Sequence, residues 1–89
     1  MTQHVESGTP INLAASGTVS LAAGILLGFY VNSTTAGTVV VRNGGSAGTA
    51  ISGTITPAIG FHRFPAYCPA GCYATIANTL DATFFFAAG

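Results

Sequence analysis

From Gly24 onward the apolar residues of this chain recur at every second position and nowhere at a helical spacing, which restricts it to folds built from strands. Ile25, Leu27, Phe29 and Val31 alternate with Leu26, Gly28, Tyr30 and Asn32, the pattern of a strand with one fully apolar face. In Thr38-Val39-Val40-Val41-Arg42 the spacing puts Val39 and Val41 inward and Thr38, Val40 and Arg42 outward. Ile51, Gly53 and Ile55 then alternate with Ser52, Thr54 and Thr56 up to Pro57. Gly60 to Tyr67 reads as another extended run, Cys72 to Ala77 as the next strand, and Leu80 to Phe86 as the last. In that last run Leu80, Ala82, Phe84 and Phe86 oppose Asp81, Thr83 and Phe85.

The turns are as explicit as the strands. Asn32 to Gly37 reads as a polar loop of hairpin type, and Asn43-Gly44-Gly45-Ser46 as a tight turn whose Asn-Gly supplies positive φ angles. Cys68-Pro69-Ala70-Gly71 forms a corner. Gly and the β-branched Thr and Val are plentiful, which disfavours helix. These signals predict six strands from Gly24 on, with one or two more, or an arm, between Ile11 and Leu21. The expected fold is all-β, a small antiparallel β-sandwich (jelly-roll-like or Ig-like) of six to eight short strands. Residues 1–10 carry no alternation and read as an extended N-terminal arm; residues 11–89 read as a single domain without internal repeats.

Charge narrows the function. Only 4% of the residues are charged and the formal net charge is zero, against about 25% charged in an ordinary soluble domain. Two basic residues cannot neutralise a run of phosphates, so nucleic acid is excluded as a partner. With 49% hydrophobic residues the chain is not a disordered one. A small domain with so little surface charge is poorly protected against association, and the expectation is a homo-oligomer, a dimer or a trimer. Met1 to Glu6 has no positively charged stretch of the kind that opens a secretory signal. Leu13 to Val31 is uncharged over 19 residues, near the minimum for a membrane span. Ser16, Gly17, Thr18, Ser20, Gly24 and Gly28 interrupt it and no Lys or Arg flanks it, so no membrane partner is expected.

Groups able to change protonation state are scarce: His4, His62, Glu6, Asp81, Cys68, Cys72 and three tyrosines. A Ser-His-Asp set can be written with His62 and Asp81, as it can for almost any sequence, and Asp81 is expected to face solvent or bond a loop at a strand start. Gly44-Gly45-Ser46-Ala47-Gly48 is glycine-rich, but no lysine or helix follows to hold a phosphate. No enzyme activity and no cofactor are expected. Cys68 and Cys72 leave three readings open: two small thiols flanking a turn, a local disulfide, or a metal site with His62 that lacks a fourth ligand. No metal is expected.

One segment is chemically dense: Phe61-His62-Arg63-Phe64-Pro65-Ala66-Tyr67. Arg and Tyr are enriched at protein contacts because each joins a large apolar area to directional hydrogen bonds. Phe61, His62, Arg63, Phe64 and Tyr67 are therefore interface candidates, against the alternative that Phe61 or Phe64 fills the core while His62 and Arg63 sit on a solvated face. Alternation sends Phe85 outward and adds it to the candidates. Val5, Pro10 and Ile11 join them as contacts of an arm laid across a neighbour.

The runs Gly28-Phe29-Tyr30-Val31-Asn32-Ser33-Thr34, Gly37 to Gly44 and Thr49-Ala50-Ile51, then Gly60 to Pro65, Gly71 to Thr75 and Thr83 to Phe86, resemble the small virion proteins of tailed bacteriophages. The resemblance covers about Leu26 to Phe86 and rests on turns and core positions, and it departs at the Cys68/Cys72 corner. It implies a capsid decoration (cement) protein on the virion surface, assembled in the bacterial host cytoplasm, with the major capsid protein as partner. A head-fibre or tail-associated adaptor, or a receptor- or glycan-binding module, is the alternative; Tyr67, Tyr73 and Asn78 are the residues that could serve a glycan.

Overall fold

Two strands carry the architecture, and both are longer than the sequence punctuation suggests. The structure is a computed structural model that describes residues 8–88. Its elements are β1 (Thr9–Leu13), β2 (Gly17–Ser20), β3 (Gly24–Asn43), β4 (Thr49–Ala50), β5 (Gly60–Cys68) and β6 (Cys72–Ala88), all antiparallel. The 20 residues of β3 pair with β6 from Gly24↔Ala88 to Asn43↔Cys72. Asn32 to Gly37, expected to be a hairpin loop, is the middle of β3, and the two strands expected between Cys72 and Phe86 are one.

A strand of that length, at about 3.3 Å per residue, would reach roughly 66 Å if straight, whereas the molecule is 44 Å in its longest dimension. The β3–β6 ribbon therefore folds over. The fold lies where the register shifts at Val31/Ser33 and Thr35/Ala36, and where Ala36 and Asn78 adopt φ of 54° and 61°. Asn78 Nδ2 donates to the Ala36 carbonyl at 2.8 Å, and the Gly37 amide donates to Thr34 Oγ1 at 3.0 Å. A Cβ on Gly37 would stand 2.4 Å from the Thr79 carbonyl oxygen, so only glycine fits the crease. The polar Ser/Thr/Asn run thus spends its hydrogen bonds bending a strand rather than ending it.

The fold divides each long strand between two layers. In layer one the order is β1, the second half of β6, the first half of β3, then β5. In layer two it is β2, the first half of β6, the second half of β3, then β4 with the bridge Val39↔Ile55. Between the layers lies one core of Leu26, Phe29, Val31, Leu80, Ala82, Phe84 and Phe86 from layer one, with Val19, Val39, Val41, Cys72 and Ala74 from layer two. This is the expected all-β antiparallel sandwich, and among the described residues it has six strands.

Three local readings change. Leu26 is fully buried and Ile25 is 44% exposed, the reverse of the expected phase, because a bulge between Leu26 and Gly28 flips the alternation. Phe29 and Val31, beyond the bulge, are buried as expected, as are Val39 and Val41. Ile51 to Thr56 forms no regular strand, only the Ile55 bridge to Val39; Ser52 instead accepts from the Val41 amide through its hydroxyl at 2.9 Å. Thr9 and Pro10, read as part of the arm, belong to β1 and pair with Phe86 and Phe85. Val5 and the rest of residues 1–7 lie outside the described residues.

Candidate docking face

The outer face of layer one is assembled from residues that lie opposite one another across the strands, and directly opposed residues point the same way. Tyr67, Ile25 and Ala87 form one row; Phe61, Tyr30, Thr83 and Asn12 form another. Phe85 lies between them beside Pro10 and stands against Phe61, with ring centroids 6.1 Å apart at 60°. Along β5 the burial alternates strictly, which puts Phe61, Arg63, Pro65 and Tyr67 on this outer face. Ile25 and Tyr30 are each 44% exposed, Phe61 55% and Tyr67 63%. The result is a broad aromatic and aliphatic surface in which Arg63 is the basic group.

Beside it sits a polar cluster. Asn12 Nδ2 donates to Asp81 Oδ1 at 2.8 Å and to Thr83 Oγ1 at 3.1 Å, while Asn32 Nδ2 donates to the same two atoms at 3.2 and 3.3 Å. These amides, Asn12 first and Asn32 second, hold the Asp81 carboxyl below the usual carboxylate range. Asp81 is therefore tied to strand neighbours in mid-β6 rather than to a loop at a strand start. Sequence reasoning missed this cluster because Asn12 and Asp81 are 69 positions apart, and no local pattern announces such a pair.

The interface candidates divide between the two faces. Phe61, Arg63, Tyr67, Phe85 and Pro10 lie on the outer face. His62 and Phe64 point the other way. His62 Nε2 is 2.7 Å from the Ala58 carbonyl oxygen and its ring lies 5.4 Å from that of Phe29, while Phe64 packs on the core. Ile11, opposite Phe84, is half-buried and packs against the core. Of the residues offered for a glycan, Tyr67 is exposed, Tyr73 is half-buried and the Asn78 amide is engaged by Ala36.

The outward Asp81 and the inward His62 face opposite sides of layer one, so the written Ser-His-Asp set is not assembled. Among the described residues no group of three or more His, Cys, Asp or Glu could hold a metal ion, and no helix is long and apolar enough to cross a membrane. A pocket of about 200 Å³ between β1, β2 and the end of β6 is lined by Thr9, Ile11, Val19, Ser20, Phe86 and Ala88, none of which titrates. Arg42 is occupied internally: Nε donates to Thr75 Oγ1 at 2.9 Å and Nη1 to the Gly48 carbonyl at 3.2 Å, pinning the Asn43–Gly48 turn. Gly44 in that turn has the expected positive φ, 100°.

No family profile matches this sequence, and neither a curated protein nor a solved structure does.

Proposed function

We propose that this chain is a structural subunit of a bacteriophage particle, a capsid decoration protein that lies with the outer face of layer one against the major capsid protein. The observation that carries the reading is the exposure of Ile25, Tyr30, Phe61 and Tyr67 on one sheet face. Four large apolar side chains in open rows, flanked by Arg63, form the kind of anchor cluster that dominates protein contacts. Zero net charge suits a surface meant to meet a neighbour, and the resemblance to small virion proteins supplies the particle. The mechanism is additive: many copies each bridge adjacent shell subunits, so expansion or rupture must break many contacts together. No chemistry is asked of the chain.

The test is localisation. Antibody against the chain, applied to particles made by the genome that encodes it, is expected to label the shell uniformly. Label confined to the tail, or none on the particle, overturns the shell reading.

A second reading is favoured by one observation, the Asn12/Asn32/Asp81/Thr83 cluster beside exposed Tyr30. A planar aromatic next to amide and carboxylate oxygens suits the apolar face and hydroxyls of a sugar, as on a fibre-borne receptor-binding module. A glycan array with the purified chain separates the two.

A further inference from the structure

We propose that Cys68 and Cys72 form a reversible disulfide that staples the two layers of the sandwich at the end opposite the fold in the ribbon. The geometry rests on register. Cys68 closes β5 in layer one opposite Gly24, and Cys72 opens β6 in layer two opposite Asn43. Gly24 and Asn43 are the two ends of β3, so the Cys68–Cys72 corner spans the mouth that the folded ribbon leaves open. Both thiols are free and fully buried in the shared core, and the Cys68 thiol donates to the Ala66 carbonyl at 3.8 Å. The corner between them is held in place: the Ala70 amide donates to Asn43 Oδ1 at 2.9 Å, the Gly44 amide to the Gly71 carbonyl at 2.9 Å, and Gly71 takes a φ of 102°. Two core thiols that happened to be neighbours could sit anywhere in the sandwich. These two sit where one covalent bond ties layer to layer.

The oxidant is a low-molecular-weight disulfide, RSSR. Pro69 and Ala70 are exposed, and opening of this corner admits the reagent. Cys68 loses its proton to solvent and its thiolate attacks one sulfur of RSSR, expelling RS⁻, which takes up a proton. Cys72, deprotonated in turn, attacks the Cys68 sulfur of the mixed disulfide and expels the second RS⁻. Two thiols and one RSSR become one protein disulfide and two RSH, with two electrons passing to the reagent. Burial, and after it the neighbouring Cys68 sulfur, push the Cys72 thiol up to about 12, which makes Cys72 the poorer first nucleophile. The bond is thus absent in a reducing cytoplasm and forms where disulfides persist. The inference does not depend on the phage reading.

The full chain, purified reduced and incubated with oxidised glutathione in mild urea, is the experiment. The expected product has lost two hydrogens in mass and retains no glutathione. Its melting temperature is expected to rise by roughly 5–15 °C, the range for closing a short loop in a domain of this size, and to fall back with dithiothreitol. Cys72→Ala should trap a single glutathione on Cys68, and the double variant Cys68→Ala/Cys72→Ala should be indifferent to the reagent. Two retained glutathiones, disulfide-linked dimers, no reaction after unfolding and refolding in the reagent, or a lowered melting temperature each overturn the proposal. Should the alanine variants fail to fold, mass and melting of the unmodified chain decide alone.

Discussion

Asp81 and Cys72 are titratable groups that the fold perturbs in opposite directions, and each marks one pH limb of stability. The amides of Asn12 and Asn32 lower the Asp81 carboxyl. A depressed folded value means its contribution is present above the ordinary carboxylate value of about 4 and is lost as pH falls through the folded value. Asp81→Asn keeps an oxygen acceptor for both amides, so chemical denaturation of wild type and variant should show a smaller loss of stability between pH 5 and pH 2 in the variant. An unchanged acid limb would remove Asp81 from the account. Cys72 works the other way. Its thiol, raised by burial and by Cys68 to about 12, contributes stability that is present below about 9 and lost as pH climbs toward the folded value. Wild type should therefore weaken above pH 9 with a slope of up to about 1.4 kcal/mol per pH unit. Cys72→Ala should begin less stable, because it leaves a small cavity, yet show a flatter alkaline limb. The residue types at these positions were legible in the sequence. Their partners were not, since Asn12, Asn32 and Asp81 meet only after β1, β3 and β6 have paired.

Alternation gave the faces of the elements reliably and their ends less well. Leu80, Ala82, Phe84 and Phe86 face the core as the spacing implies, and so do Val39 and Val41. The breaks between strands were misplaced because polar runs such as Asn32 to Gly37 serve equally as a loop or as a crease. What decides between them is a partner strand, and Thr79 to Asp81 supplies it from more than forty residues away. The bulge at Leu26/Gly28 is illegible for a similar reason: β3 carries one extra residue opposite β6 while β5 carries one extra residue opposite β3, and the sequence carries no mark of either. The crease is where the element scale can be tested. A Cβ at Gly37 would meet the Thr79 oxygen at 2.4 Å and the Leu80 Cβ at 2.7 Å. Backbone there cannot yield without moving the partner strand, so Gly37→Ala is expected to cost about 2–3 kcal/mol, in the range of overpacked core substitutions. Gly45→Ala, with nothing within 4 Å of the new Cβ, should stay within about 0.5 kcal/mol of wild type. Equal effects in urea denaturation would refute the crease argument.

At the scale of the whole molecule, the exposed apolar face of layer one and the absence of net charge act together. Nothing electrostatic holds two copies apart, and Ile25, Tyr30, Phe61 and Tyr67 offer area that water covers poorly. The isolated chain should therefore associate through this face even without a particle, and sedimentation should show mass rising with concentration through the micromolar range. The location of the contact is the sharper claim. Phe61 and Tyr67 stand outward on β5 at 55% and 63% exposure, so replacing both by serine removes apolar area from the face and leaves the core untouched. Phe61→Ser/Tyr67→Ser should shift the chain to monomer with its melting temperature unchanged within a few degrees. Leu21, 90% exposed but isolated in the turn between β2 and β3, is the control: Leu21→Ser removes a comparable greasy side chain without touching the face, and should leave association as it was. If the two variants behave alike, exposed hydrophobicity in general drives association and the face has no special standing. Arg63→Ala extends the same logic to a shell. An arginine desolvated against a capsid acceptor contributes about 2–5 kcal/mol, and one left at a wet rim contributes well under one. Undiminished occupancy of the alanine variant on particles would place Arg63 at the rim and leave attachment to the aromatic rows alone.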